Sequence, residues 1–445
     1  MAVQDRSKKM SQLYADREMI RAIRGGTKTM REAGEKYLPR EQGESQSSYK
    51  RRISRSTFDN LMRETIEGHT AKPHSKPYVF TSDNHQELAD DYLKRADSKG
   101  TSAVQVGSVA TEDAYWNGTS LLLADAPESG GRPYYYNLSM DSVLDYDQDE
   151  DGLLTYFRFA EKISVRDGEF DVKEVGRVRV FKRDGVNVTW DLWEENEGGD
   201  YVLITSGNKF PLDFIPVFPV HAGTVAPGEF FADPPLLNVA YLNVQLWQES
   251  SDQSHILHVA KVPILFMKGG DVNPQTGETG QISIGSEYAI VQQSPQAELS
   301  YVEIAGNSIA AGRESIKDIE HKIMRAGLEL LQNNGATETA TGRALQAGVN
   351  NNKVAQAACN LEAALEKTMY AIGKFNMISE PDFAVSVHKD YGINASAEEI
   401  NALTQARTLG DLSREDYLSE LKRRGIMRPE FNFDDNNDRL GMEMV

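Results

Sequence analysis

The sequence predicts an α+β protein: a mixed α/β body from which two long helices project around a small β-rich excursion. Three observations carry this prediction. Residues 120–220 hold short apolar and aromatic runs between turns, such as Leu121-Leu122-Leu123 and Tyr134-Tyr135-Tyr136. Two long segments with helical apolar spacing, 233–260 and 308–331, flank a stretch that carries the strand-like runs 262–266 and 288–291. A polar loop, Gln332 to Thr339, then leads into a third long helical pattern, 342–375. Two long helices that leave a body, build a small tip and return to a polar loop read as a stalk, and a stalk needs neighbours.

Taken in order, residues 9–37 read as helix, with a break at Gly25-Gly26. Pro39 to Ser48 is a polar loop, and Tyr49 to Gly68 is an amphipathic helix carrying Phe58, Leu61, Met62 and Ile66. Helices at 85–96 and 101–118 follow, the second closed by Gly118 as a C-cap. Strands are expected at 121–123, 134–136, 153–159, 177–181, 186–193 and 201–204, with Ile215 to Val220 closing the β region. Ile316, Ile319, Ile323, Ala326 and Leu330 make one narrow helical stripe suited to packing against another helix. The third long helix carries Leu345, Val349, Val354, Ala357, Leu361, Leu365 and Ile372. A strand at 383–387, short helices near 397–409 and 413–424, and an acidic, Asn-rich tail complete the chain.

The 445 residues are 40% hydrophobic and 26% charged, which is enough to bury a core without metal or disulfide staples. No apolar run approaches the ~20 residues that span a bilayer, and the first residues lack a signal-peptide core. Cys359 is the single cysteine, so no intrachain disulfide can form; beside Ala357, Ala358 and Leu361 it reads as a small packing residue. The formal charge is −19, and residues 1–60 are basic with 14 Lys+Arg against 8 Asp+Glu. The remainder is a strongly acidic body. That argues against general phosphate binding, which rests on Lys and Arg, yet it suits a wall that lets DNA pass without sticking.

Several chemical motifs fail on inspection. Asp147, Asp149 and Asp151, followed by Gly152, open like a calcium loop, but the twelfth position is Arg158 where a bidentate Glu is needed. His255 and His258 share a helix face; two ligands do not close a metal site, and stalk packing or hydrogen bonding is the simpler reading. Gly25-Gly26-Thr27-Lys28-Thr29 lacks the Gly-Lys-Ser/Thr of a phosphate loop. Lys50-Arg51-Arg52 with Arg55 is the one dense basic cluster, either a DNA contact or an exposed or salt-bridged helix face. No catalytic constellation and no cofactor motif emerges.

The order of parts resembles the portal proteins of tailed bacteriophages. Tyr49 to Phe58 and Ala110 to Leu123 resemble the start of that family's wing, and Ile215 to Val220 its close. Leu236 to Ala260, with Ser250-Ser251-Asp252 and then Lys261-Val262-Pro263, resembles the first stem helix entering the clip. Ser308 to Leu331 resembles the second stem helix, and Thr339 to Leu345 the end of the tunnel loop. The resemblance implies an N-terminal arm (1–46), wing (47–232), first stem helix (233–260), clip (261–305), second stem helix (306–331), tunnel loop (332–342), long wing helix and strand (343–395), and crown with tail (396–445). It implies a non-enzymatic ring, usually of twelve subunits, at one capsid vertex of the virion, assembled in the host cytoplasm. Its implied partners are the major capsid protein, scaffolding protein, terminase large subunit, a head–tail adaptor and the double-stranded DNA that is packaged and ejected through the channel. Asn333, Asn334, Gly335, Thr337, Glu338, Thr339 and Thr341 would face that DNA, and Ile316, Ile319, Ile323, Ala326 and Leu330 would pack the stem. Two other readings stay open: a divalent-metal-dependent nucleic-acid enzyme using Asp147, Asp149 and Asp151, and a head–tail adaptor, which is usually a much smaller chain.

Overall fold

The computed structural model describes residues 2–127, 130–260, 264–268, 298–302, 306–328, 340–389, 397–423 and scattered positions from 426 to 439. The chain divides into two compact units, one of residues 1–17, 65–235 and 329–445, the other of 18–64 and 236–328. The architecture is mixed α+β.

Helices α1 (Lys8–Asp16), α2 (Glu18–Arg24) and α3 (Gly26–Ala33) replace the single helix predicted across 9–37. One break is the expected one at Gly25; the other is Arg17. Buried at 2% exposure, Arg17 donates from its guanidinium to the carbonyls of Leu13, Asn117 and Ala232, a demand that continued helix would not meet. The helix predicted from Tyr49 to Gly68 is also two, α4 (Gln46–Arg55) and α5 (Leu61–Ala71). Asn60 sets the second start: its Oδ1 accepts the Arg63 N–H at 3.0 Å, while its Nδ2 donates to the Ile23 carbonyl at 2.7 Å.

Strand β1 (Val79–Thr81) precedes α6 (Gln86–Lys94) and α7 (Ala103–Asn117). A capping box of Ser102 and Gln105 starts α7, and Gly118 at φ +88° ends it. Only glycine fits there, since an added Cβ would lie 2.1 Å from the Ala232 oxygen.

The β region comprises β2 (Thr119–Asp125), β3 (Tyr134–Leu138), β4 (Val143–Gln148), β5 (Leu154–Asp167), β6 (Asp171–Asp184), β7 (Asn187–Glu195), β8 (Tyr201–Lys209) and β9 (Val217–His221). They form an antiparallel sheet ordered β3-β2-β9 and a five-stranded antiparallel meander running from β4 to β8. The β5–β6 ladder runs to Asp167 opposite Asp171, far beyond the predicted 153–159 and 177–181. This outer half of the hairpin is exposed and charge-rich, so it lacks the apolar alternation that marks a half-buried strand.

The rest of the chain is α8 (Leu237–Ala260), β10 (Ile264–Lys268), β11 (Glu298–Val302), α9 (Gly306–Ile323), α10 (Ala340–Phe375), β12 (Ala384–Ser386), α11 (Ala397–Leu409) and α12 (Arg414–Arg423). The predicted strand 288–291 lies outside the described residues. In the first unit, α7 and α10 both pack on the three-stranded sheet, so β2 is buried along its whole length. Leu361, Leu365, Met369 and Ile372 of α10 join Leu121, Leu122 and Leu123 in this core. Each such side chain contributes about 1.5–3 kcal/mol by burial. An aromatic chain, Phe157–Phe159–Phe181–Phe210–Phe375, with successive centroids 5.8, 5.6, 5.4 and 5.5 Å apart, ties the meander to the end of α10. Cys359 is exposed, contrary to its predicted packing role. It sits about 200° round the helix from both Ala357 and Leu361, which face the core.

Candidate functional site

The feature that organises the second unit is a helix pair closed by a β-hairpin. Ile264 of β10 faces Val302 of β11 in antiparallel register, so the chain leaves α8 and returns to α9 within a few residues of one rung. Closer in, Gln253 of α8 donates its Nε2 to the Ile309 carbonyl at 3.0 Å. Gly312 lies against the same side chain, where an added Cβ would sit 2.1 Å from Gln253 Oε1. These contacts fix α8 and α9 as a close antiparallel pair, with glycine at the tightest approach.

The isoleucine stripe lies within this unit. Ile319 and Ile323 are 2% and 0% exposed, and Ile316 is half-buried. Ile319 and Ile323 are therefore covered by the chain itself. Past Ile323 the helix widens into a π-helical turn, Met324–Leu328. A π turn holds more residues than an α turn, so the buried position slips from Ala326 to Gly327, and Ala326 is exposed. Leu330, Asn333, Asn334, Gly335, Thr337, Glu338 and Thr339 lie outside the described residues. Thr341 falls in the first turn of α10, which starts at Ala340 and so takes in the end of the predicted loop.

Residues 18–64 wrap the other side of α8. Asn243, fully buried, accepts the Met62 N–H on its Oδ1 at 2.9 Å and donates to the Asp59 carbonyl at 2.6 Å. One turn on, Trp247 meets Phe58 edge-to-face at 5.9 Å, and Gln248 donates to the Tyr37 carbonyl at 2.8 Å. A further turn on, Ser251 accepts from Arg52 at 3.3 Å. Arg52, for which the sequence left open a DNA contact, an exposed face or a salt bridge, is buried and salt-bridged. It binds Glu44 through two bonds of 3.0 and 2.9 Å, donates to the Pro39 carbonyl at 2.8 Å and lies 3.6 Å from Asp252. The hydrogen bonds from Arg52 hold the Glu44 carboxyl below its usual range, whereas burial pushes Asp252 up. The line Asn243, Trp247, Ser251 at i, i+4, i+8 was the available sequence signal for this buried face.

The Asp147–Asp151 segment is the turn between β4 and β5. Asp149 accepts the N–H groups of Leu153 and Asp151 at 2.8 and 3.1 Å and pairs with Arg183. Those bonds lower its pKa, the Leu153 N–H most. With a guanidinium already on Asp149, the segment is a self-satisfied turn. Among the described residues no group of three or more His, Cys, Asp or Glu could hold a metal ion. His255 and His258 are exposed, so neither packs the stalk.

Residues 235–375 match a family described as a domain of unknown function, DUF4055. No curated protein matches the chain. Among solved structures it is similar to a chain in the neck of an empty GTA particle computed with C6 symmetry, at 13% identity and a TM-score of 0.49, over 80% of this chain and 88% of that one. It is also similar to a chain of the virion of a native gene transfer agent (GTA) particle, at 13% identity and a TM-score of 0.46, over 82% and 89%. A third likeness is to the neck of the native GTA particle computed with C12 symmetry, at 12% identity and a TM-score of 0.40, over 81% and 89%. The DUF4055 match begins one residue before Leu236 and ends at Phe375, so its bounds are those of the helix–hairpin–helix and α10 taken together.

Proposed function

We propose that this chain is the subunit of a portal ring: a structural wall at one capsid vertex through which DNA is packaged and ejected. The observation that carries this reading is the helix–hairpin–helix and the long helix that follows it. A 24-residue helix, an antiparallel hairpin and a returning helix form one close pair, and a 36-residue helix then runs onto the β-rich body. This is the order of stem, clip, stem and long wing helix that the sequence resemblance implies. The DUF4055 match encloses these elements as one block, which supports treating them as a module. The acidic charge outside residues 1–60 fits a channel wall, because like charge limits adhesion of DNA within a Debye length of about 8 Å.

Because the chain covers Ile319 and Ile323 itself, contacts between copies would use other positions on these helices. Tyr241, 61% exposed on α8, marks the large apolar side chain available there. The ring would dock a terminase large subunit while DNA enters and a head–tail adaptor afterwards, with scaffolding and major capsid protein around it. The reading as a metal-dependent nucleic-acid enzyme gains no support from Asp147, Asp149 and Asp151, since Asp149 is engaged by Arg183 and two backbone N–H groups while Asp147 lies in β4. Gold-labelled antibody against this chain, applied to purified particles, should mark one vertex each. Label on every vertex, or on none of the particles, contradicts the proposal.

A further inference from the structure

Two features that the sequence leaves as separate curiosities, the Lys50–Arg55 cluster and the His255/His258 pair, meet at one place in the second unit. Helices α4 and α8 border an open cleft of about 480 Å³, lined by Arg51, Arg55, His255 and His258 with the hydroxyls of Ser48 and Ser254. Arg51 and Arg55 stand one helical turn apart, about 6 Å along α4. His255 and His258 make the facing row on α8. All four side chains are exposed.

Charge accounting within the cleft singles out the two arginines. The nearby carboxylates of Glu41, Glu44 and Asp252 gather on the buried Arg52, Glu44 through two hydrogen bonds. Arg51 donates to the Ser48 hydroxyl at 3.2 Å and forms no ion pair with any described residue. Arg55 has neither an ion pair nor a hydrogen-bond partner for its guanidinium among them. Residues 18–64 carry 11 Lys+Arg against 7 Asp+Glu, a basic segment in an acidic chain. Two guanidiniums, two imidazoles and a set of hydroxyls, with Leu257 the one large apolar side chain in the lining, make a cleft for oxyanions.

We propose that this cleft binds phosphates of a nucleic-acid backbone, without regard to base sequence. Two rows of donors, each stepping about one turn along its helix, suit a run of successive phosphates better than a single carboxylate. The inference deepens the portal reading, since DNA is the polyanion such a ring handles. It adds a contact built from α4 and α8, separate from the 332–342 loop.

The test uses the full chain and a short fluorescein-labelled DNA duplex, followed by fluorescence anisotropy over a KCl series, with the mass of the assembly measured on the same samples. The wild type should bind at low salt, and inorganic tripolyphosphate should compete. Arg51→Ala with Arg55→Ala should weaken binding at least about tenfold at low salt and reduce the log–log salt slope by about 2. Lys173→Ala, on the exposed β5–β6 hairpin, should change neither. Should the double variant fail to fold, Arg55→Gln alone should reduce the slope by about 1. An unchanged slope in these variants overturns the inference, as does a wild type that tripolyphosphate does not displace. Lost assembly mass with unaltered DNA binding also overturns it, because the cleft then holds carboxylates of another copy. Full-mass rings with no cleft-dependent binding defeat this inference alone, whereas a chain that never forms rings defeats the portal reading whatever its affinity for DNA.

Discussion

Asn243→Ala offers the sharpest perturbation of α8 and the helices around it. Asn243 bridges two backbone groups, the Met62 N–H at 2.9 Å and the Asp59 carbonyl at 2.6 Å, and both Asn243 and Met62 are fully buried. Alanine leaves the Met62 N–H with no partner and no water, a desolvation loss of about 1–3 kcal/mol. The Asp59 carbonyl lies nearer solvent, so its loss adds only about 0.5–1.5 kcal/mol. We therefore expect local destabilisation of about 1.5–4.5 kcal/mol. At 1.4 kcal/mol per factor of ten, this opens the α5 start roughly 12- to 1,600-fold more often. Hydrogen exchange followed by mass spectrometry reads this directly: peptides covering residues 58–66 should lose protection by about that factor, while peptides within α7 keep theirs. A change below about threefold across 58–66 would refute the claim that Asn243 clamps the N-terminal helices onto α8.

Three further outcomes can be measured. Ile319→Asp places a carboxylate at a position 2% exposed between α8 and α9, at a cost of about 3–5 kcal/mol, and should yield misassembled protein and heads without DNA; normal phage yield would show that the seam lies elsewhere. Arg52 depresses the Glu44 carboxyl, so this pair contributes stability above about pH 4.5 that is lost as the pH falls below it; Asp252, raised by burial, acts with the opposite sign as its carboxyl ionises above pH 3.8. Exchange protection of α4 should therefore fall on acidification below about pH 4.5 in the wild type and much less in Glu44→Gln, and equal acid sensitivity in both would discount the pair. Asn334→Lys, adding one cation per subunit to the proposed DNA-facing loop, should slow packaging or ejection most at low ionic strength, and packaged DNA length with ejection rate measures it; wild-type values for both would remove the loop from the channel.

Much of the architecture was legible because apolar spacing survives wherever one face is buried. The C-terminal ends of α8 and α10, the helices at 397–409 and near 414–423, and the capped end of α7 at Gly118 fall where the residues place them. Three kinds of feature were not legible. Breaks at Arg17 and Asn60 depend on partners far along the chain, so helical periodicity passes straight through them. The outer half of β5–β6 is solvated and charged on both strands, so alternation does not mark it; β10 overlaps the predicted run 262–266, but its partner β11 lies across a long insertion and was missed. The π turn after Ile323 shifts the stem register by one position, which a stripe extrapolated to Ala326 cannot anticipate. At the site, the isoleucines were identifiable but their partner was not: the stripe implied a neighbouring helix, and α8 of the same chain is that helix. The basic cluster held two unlike roles, with Arg52 buried on Glu44 while Arg51 and Arg55 face solvent, and only the burial of one of three neighbouring cations separates them.

The central claim is that copies of this chain close into a ring around a channel. Mass photometry of the purified full-length chain, with negative-stain averages of the same sample, tests it most directly. Twelve copies of the 49.6 kDa chain weigh about 595 kDa, and a species at that mass or at an adjacent ring number, with a central hole in axial views, is the predicted result. A single 49.6 kDa species at micromolar concentration, with no larger form in lysates of infected cells, would contradict it.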